Sequence, residues 1–226
     1  MKVATFGCSW THGTEDVDNH YNWPNGLQEI HPEWEIYNYA LAGSSLSFQV
    51  QLMDAVLKHE KYDIIIFQFT SPGRLTYFEE DYDYLKYFTR YTSTYQMFDT
   101  SSDIYCKIFA ITPGHMSLSK SDSFWTTPEK YQLAKLYYTH INKSIHKIEY
   151  KALTEYVKRK TDLCFFHNED VLKLNIHPVI NEEVKKSGGN ELLKTFIADK
   201  GEHYNKIGAQ WQAEWINNKL KEDSVI

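Results

Sequence analysis

The residues of this sequence with the clearest potential for chemistry are a serine near its beginning and a histidine near its end. Ser9 lies in the segment KVATFGCSWTHG, residues 2–13, directly after a short apolar run. His203 lies in ADKGEHYNKIGAQW, residues 198–211, in a polar turn before an amphipathic segment. A serine hydroxyl is a poor nucleophile unless a neighbouring base accepts its proton, and histidine is the usual base. The two residues therefore predict nucleophilic catalysis if the fold brings them together.

The first segment is open to other interpretations. Serine is common at the N-cap of a helix, so Ser9 is either a helix cap or a nucleophile. A thiolate beside a helix N-terminus can be reactive, which makes Cys8 an alternative nucleophile, whereas a buried cysteine usually acts as a small apolar side chain. Ligands of open α/β sheets bind outside the carboxyl ends of the strands, and Ser9 directly follows an apolar run that predicts a strand.

The segments that must position these residues alternate between strand-like and helix-like patterns. Consecutive apolar, β-rich residues such as Ile64–Phe67 are typical of a strand covered on both faces in a parallel sheet. The predicted strands cover residues 2–7, 34–40, 62–69, 104–111 and 162–166, and the predicted helices cover 47–59, about 128–160 and 206–220. This alternation indicates an α/β fold, a three-layer α/β/α sandwich with a mostly parallel five-stranded sheet.

The long predicted helix, about 128–160, carries apolar residues at intervals of three and four. Residues at this spacing share one helix face, so they predict the face that packs on the sheet. The alternative is a coiled-coil partner bound to the same face. The residues concerned are Ala134, Tyr138, Ile141, Ile145, Ile148 and Ala152.

Length and composition predict one domain over residues 1–226. The chain has 226 residues, of which 42% are hydrophobic and 24% are charged, the balance of a globular protein with one sizeable core. Within it, residues of about 75–103 form an insertion rich in Tyr and acidic residues. Long insertions after a strand often build a lid or a substrate wall, although Tyr is also ordinary at half-buried surfaces.

Charge and cysteine content exclude several classes of partner. The net charge of −6 provides no positive field for a polyphosphate backbone, so nucleic acid is not an expected partner. Three widely spaced cysteines and the absence of a histidine pair three or four residues apart argue against a disulfide framework and a metal site. No glycine-rich nucleotide motif occurs, so no cofactor is predicted. No apolar run is long enough for a signal peptide or a membrane span, and we expect a cytoplasmic protein.

Four short blocks of the sequence, in order, resemble the SGNH (GDSL) hydrolase family. GCSWTHG is similar to the first block, in which a serine follows glycine and aspartate, with Cys8 in the place of the aspartate. NYALAGSS supplies Asn38 and Gly43 of the second block. FQFTSPGR, residues 67–74, corresponds to the third block but lacks its asparagine.

The last block of the family is similar to DKGEHYNKIG, in which His203, Asn205 and Gly208 are in register. The family places an aspartate three residues before the histidine. Here Asp199 lies four residues before it, and Glu202 is adjacent to it. The resemblance implies that Asp199, or else Glu202 or a backbone carbonyl, orients the imidazole.

The resemblance implies a Ser9–His203–Asp199 triad acting on an ester carbonyl. The oxyanion would be bound by backbone N–H groups of Ser9 and Gly43 and by a side chain from the third block. In this block Thr70 or Ser71 must replace the missing asparagine as a donor.

Arg74, in the same block, is either a clamp for an anionic part of the substrate or a solvated surface residue. The implied substrate is a small-molecule or glycan ester, since the aromatic faces of the Tyr-rich insertion could stack on sugar rings. Three other functions remain open. These are acyl transfer to an alcohol at the same site, a non-catalytic SGNH-like binding module, and a flavodoxin-type flavin protein in which Ser9–Thr14 would bind phosphate.

Overall fold

The computed structural model describes residues 1–13, 21–41, 44–70, 75–78, 108–111, 143–166 and 204–226. Within these residues, the short apolar runs form strands and the amphipathic segments form helices. The strands are β1 (Lys2–Phe6), β2 (Glu35–Asn38), β3 (Ile64–Phe69), β4 (Leu75–Phe78), β5 (Ile108–Ile111) and β6 (Leu163–Phe166). The helices are α1 (Ser9–His12), α2 (Trp23–Ile30), α3 (Leu46–His59), α4 (Lys143–Lys158) and α5 (Lys206–Glu222).

Four of the strands form one parallel sheet in the order β2-β1-β3-β6. Strand β1 lies between β2 and β3, with Val3 opposite Ile36 on one side and Ile64 on the other. The chain passes from β1 to β2 and then returns across β1 to β3, so the strand order reverses at β1. In open α/β sheets, a ligand site forms at the carboxyl edge beside such a reversal. Ser9 follows β1 at that edge.

Helices cover both faces of the parallel sheet. Helices α2 and α5 pack on one face, where Val3, Ile64 and Ile66 are buried. Helices α3 and α4 pack on the other face, against Ala4 and Phe67. Successive strand residues point to opposite faces, which is why a strand buried on both sides must be apolar throughout. The predicted three-layer α/β/α architecture with a parallel sheet is confirmed.

Polar side chains mark where three of the helices begin. Asn22 Oδ1 accepts from Asn25 N at 3.0 Å before α2, and Ser45 Oγ accepts from Phe48 N at 3.3 Å before α3. Asn205 caps α5 in the same way. Each cap satisfies a backbone N–H that the helix itself cannot pair.

The predicted fifth strand forms, but the prediction that it belongs to the parallel sheet is wrong. Ile108–Ile111 does form a strand, but it pairs antiparallel with Leu75–Phe78 in a separate two-stranded sheet. The parallel sheet therefore has four strands within the described part of the chain. An apolar run predicts that a strand forms, whereas its pairing depends on which backbone edge satisfies its hydrogen bonds.

The predicted buried face of the long helix is also wrong over its described part. Ile148 is 70% exposed and Ala152 is exposed, while Tyr150, Thr154 and Val157 are buried. Helix α4 packs beside α3, and this neighbour selects a different stripe. Residues 128–142 lie outside the described residues, as does most of the Tyr-rich insertion.

None of the described helices combines the length and the apolar character that crossing a membrane requires.

Candidate active site at the carboxyl edge of the sheet

The candidate site begins where two adjacent strands of the sheet end. Ser9 lies just beyond β1, and Thr70 is the first residue beyond β3. The two strands are parallel and in register from Val3–Ile64 to Phe6–Phe67, so their carboxyl ends reach the same edge. The fold thus brings Ser9 and Thr70 to one edge of adjacent strands.

Ser9 is the first residue of the short helix α1 and is buried, with 6% of its surface exposed. The N-cap position belongs to Cys8, so the interpretation of Ser9 as the helix cap is wrong. The Cys8 side chain is buried and makes no capping hydrogen bond. Helix α1 ends at Gly13, whose φ of 81° is in the left-handed region that glycine adopts most readily.

Thr11 anchors this helix to the rest of the protein. Its hydroxyl bonds to Gln68 Oε1 of β3 and accepts from Trp23 Nε1 of α2 at 3.3 Å. Its backbone carbonyl accepts from Asn38 Nδ2 at 3.0 Å. A Cβ on Gly7 would lie only 2.1 Å from Thr11 Oγ1, so this close approach requires glycine. The position of α1 is therefore determined by contacts with β2, β3 and α2.

The second block also contacts the segment that precedes Ser9. Leu41 N donates to Gly7 O at 3.1 Å, and Ser44 Oγ lies 3.4 Å from the same oxygen. These two residues flank the segment that contains Gly43. Asn38, from the same block, accepts from Ala40 N at 3.1 Å and thereby shapes the chain as it leaves β2.

Thr70 presents a buried hydroxyl at this edge of the sheet. The residue is 1% exposed, and its Oγ1 has no hydrogen-bond partner among the described residues. Its carbonyl oxygen, in contrast, accepts from the hydroxyl of Tyr150 in α4. A buried hydroxyl without a partner lowers stability, so its retention needs another reason. A donor that is reserved for a ligand is one such reason.

Two aromatic rings connect the beginning of the chain with its last part. Trp10, the residue after Ser9, packs edge-to-face on Tyr204 with ring centroids 4.9 Å apart. Tyr204 directly follows His203 in the sequence. The sequence neighbours of the predicted nucleophile and the predicted base are therefore in contact.

Five of the predicted site residues lie outside the described residues. They are Gly43, Ser71, Arg74, Asp199 and His203. Of the predicted set, the structure describes Ser9 and Thr70 and brings them to one edge of the sheet.

The described residues contain no cluster of three or more His, Cys, Asp or Glu side chains that could hold a metal ion. Cys164 of β6 is set apart from catalytic use by its surroundings, because burial raises the pKa of its thiol to about 11. The thiolate is the reactive form of cysteine. At neutral pH, therefore, the Cys164 thiol is protonated and not in its reactive form.

Sequence reasoning missed the roles of Trp10, Thr11 and Tyr204. A signal was present for two of them, since Ser9 and His203 are each followed directly by an aromatic residue. Nothing in the sequence distinguished Thr11 from other threonines. Its role depends on β3 and α2, which lie far away along the chain.

Comparison with known proteins finds solved structures that resemble this chain at low sequence identity. No family model matches the chain, and no curated protein matches it. A protein from Desulfitobacterium hafniense DCB-2, described as lipolytic and of the G-D-S-L family, is 13% identical with a TM-score of 0.42, over 100% of this chain and 99% of that one. TesA is 12% identical with a TM-score of 0.45, over 99% of both chains. A catalytic mutant of Axe2, an acetylxylan esterase from Geobacillus stearothermophilus, is 11% identical with a TM-score of 0.43, over 98% of this chain and 93% of that one. We therefore base the proposed function on this chain's own residues and contacts.

Proposed function

We propose that this protein is a serine esterase of SGNH type that hydrolyses a small acyl ester through Ser9, His203 and Asp199. The observation that carries the proposal is the contact between Trp10 and Tyr204, whose ring centroids are 4.9 Å apart. Consecutive Cα atoms are about 3.8 Å apart, so a contact between these neighbours favours a short distance between Ser9 and His203.

In the proposed reaction, Ser9 Oγ attacks the carbonyl carbon of the ester while His203 accepts the hydroxyl proton. The tetrahedral intermediate then loses its alcohol, which takes the proton from the imidazole. Water attacks the acyl-serine with His203 as the base, the acid is released, and the Ser9 hydroxyl is restored. Asp199 would keep the imidazole oriented throughout.

The oxyanion would receive hydrogen bonds from the N–H groups of Ser9 and Gly43 and from the hydroxyl of Thr70. The buried position of Thr70 Oγ1, without a partner among the described residues, supports its role as the third donor. Ser71 is the alternative donor from this block, and Arg74 would bind an anionic part of the substrate. Donors held in place before the reaction stabilise the developing charge more effectively than water does.

The test is turnover of p-nitrophenyl acetate by the wild type, Ser9→Ala and His203→Ala. We expect both variants to lose activity by about a thousandfold or more, because nucleophile and base act as a unit. Ser47→Ala and His59→Ala are matched controls, since Ser47 lies on α3 and His59 is an exposed residue at its end. Equal turnover by all five proteins would disprove the assignment.

Covalent labelling separates the esterase from the alternatives. A serine phosphonate should add once to the folded wild type and not to Ser9→Ala, as seen by intact mass. Absence of an adduct on the folded wild type would favour a non-catalytic binding module. If the unlabelled wild type forms a new ester from p-nitrophenyl acetate and an added alcohol, acyl transfer is its reaction instead.

A further inference from the structure

We infer that Trp10 and Tyr204 are positioning residues that hold the segment containing the catalytic histidine against the nucleophile helix. This inference rests on the proposed function and deepens it, because it assigns a kinetic role to side chains that do not touch the reacting atoms. The two rings meet edge-to-face, with centroids 4.9 Å apart and planes at 80°. Aromatic pairs prefer this geometry, which also defines a relative orientation.

The Tyr204 side of the pair belongs to a firmly anchored element. Its ring is buried and makes a second edge-to-face contact, with Trp211 of α5, in which the ring centroids are 6.4 Å apart. Asn205 Oδ1 accepts from Gly208 N at 2.9 Å, so α5 begins directly after Tyr204. Tyr204 is thus attached to the start of a 17-residue helix.

The Trp10 side is anchored as well. Trp10 lies between Ser9 and Thr11 on α1, and Thr11 is bonded to Trp23 Nε1 at 3.3 Å and to Gln68. Because α1 has only four residues, those contacts determine where the whole helix lies. The Trp10 ring therefore projects from a helix whose position is set by α2 and β3.

The pair connects two anchored elements at the place where catalysis needs accuracy. A base must come within about 2.6–3.2 Å of the proton that it accepts. A displacement of about 1 Å can lower the rate by about a hundredfold. Trp10 follows Ser9 in the sequence and Tyr204 follows His203, so contact between the rings would limit the relative movement of the proposed nucleophile and base.

The experiment compares the kinetics of p-nitrophenyl acetate hydrolysis in Trp10→Leu, Tyr204→Leu and the double variant, with rates normalised to the folded fraction. We expect each single variant to lower kcat about 10- to 100-fold with KM changed less than about threefold. The double variant should be no slower than the slower single one, because both changes break the same contact. Trp10→Phe and Tyr204→Phe, which keep a ring, should recover most of kcat. If the leucine variants do not fold, Trp10→Met and Tyr204→Met, which also remove the ring, take their place with the same expected loss of kcat.

Trp34→Leu is the matched control. Trp34 is a buried aromatic residue that stacks on His31. It directly precedes β2, so it lies at the amino ends of the strands, away from the candidate site at their carboxyl ends. We expect this variant to lose stability while kcat per folded molecule stays the same. The inference is overturned if Trp10→Leu and Tyr204→Leu keep the wild-type kcat per folded molecule, as Trp34→Leu is expected to do. It is also overturned if the effects of the two leucine changes on kcat simply multiply.

Failure of the inference and failure of the proposed function give different results. If Ser9→Ala turns over the ester as fast as the wild type, the proposed function fails and the positioning role fails with it. If Ser9→Ala is inactive while Trp10→Leu and Tyr204→Leu keep wild-type kcat per folded molecule, only the positioning role fails.

Discussion

At the scale of single residues, the hydroxyl of Thr70 is a buried polar group at the edge of the sheet where Ser9 lies. It is buried at the carboxyl end of β3, and it has no hydrogen-bond partner among the described residues. A buried polar atom without a partner destabilises the fold by about 1–3 kcal/mol. A donor that waits for an oxyanion would account for this loss of stability.

Thr70→Val tests the donor directly, because valine keeps the shape of threonine and removes the hydroxyl. We expect kcat for p-nitrophenyl acetate to fall about a hundredfold, the usual effect of losing one oxyanion donor. The free energy of unfolding, measured in urea, should stay the same or rise by up to about 1 kcal/mol, since an unpaired polar atom disappears.

Thr154→Val is the control for this substitution. Thr154 is equally buried, but its hydroxyl donates to Tyr150 O at 2.8 Å. Its removal should lower stability and leave kcat unchanged. A Thr70→Val variant with normal kcat would exclude the hydroxyl as a donor, and a parallel fall in kcat and stability would point to a structural role.

At the scale of elements, α2 and α5 pack directly against each other. The two helices approach closely at Gly26, where an added Cβ would lie 2.7 Å from Ala213 Cβ. Glycine inside a helix is unfavourable by about 1 kcal/mol relative to alanine. Close packing of the two helices therefore overrides the helix propensity at this position.

Gly26→Ala should lower the free energy of unfolding by about 1–3 kcal/mol, although alanine is the better helix former. Ala213→Gly removes the opposing Cβ, so the double variant should be more stable than the sum of the two single effects predicts. Chemical denaturation of the four proteins measures this coupling.

Ala209→Gly provides the comparison for that cycle. Ala209 is buried on the same helix, but it faces the Gly26 position through its backbone oxygen, 3.5 Å from the added Cβ. Ala209→Gly should therefore not restore the free energy of unfolding that Gly26→Ala loses. Equal rescue by both glycines would mean that α5 shifts as a whole and that the contact with Ala213 is not specific.

At the scale of the whole molecule, burial raises the pKa of several weakly acidic side chains and so extends the pH range in which they are neutral. Burial raises the pKa of the phenols of Tyr39, Tyr62 and Tyr204 above the ordinary value of 10.0. Tyr39 and Tyr62 also share a hydrogen bond of 2.5 Å between their hydroxyls. Burial also raises the pKa of the Cys164 thiol, from 9.0 to about 11.

These shifts predict that the protein loses stability in alkali. Between pH 9 and about 11, Cys164 releases its proton in the unfolded chain but retains it in the folded protein, and the three phenols follow above pH 10. The unfolded state then binds fewer protons, so the free energy of unfolding falls as the pH rises. Cys164 alone should contribute a loss of about 2 kcal/mol by about pH 11.

Urea unfolding from pH 7 to about pH 11 measures this loss, and two variants assign it. Cys164→Ala should flatten the curve between about pH 9 and 10, and Tyr62→Phe should reduce the slope above about pH 10. A constant free energy of unfolding across this range, or a Cys164→Ala curve parallel to that of the wild type, would contradict the prediction.

The sequence by itself determined the local features of this protein. Consecutive apolar residues indicated β3, a polar turn before an amphipathic segment indicated the start of α5, and the end of the first apolar run placed Ser9 beyond β1. These features depend on side chains within a few residues of one another. The alternation of such segments was sufficient to predict a parallel sheet between two layers of helices.

Only the tertiary structure decided which distant groups meet. Helix α4 buries Tyr150 and exposes Ile148 because α3 lies beside one of its faces, and β5 pairs with β4 because that edge satisfies its hydrogen bonds. The contact between Trp10 and Tyr204 joins residues from opposite ends of the chain. Residue periodicity describes a segment's own surface, whereas its partner depends on how all the segments pack together.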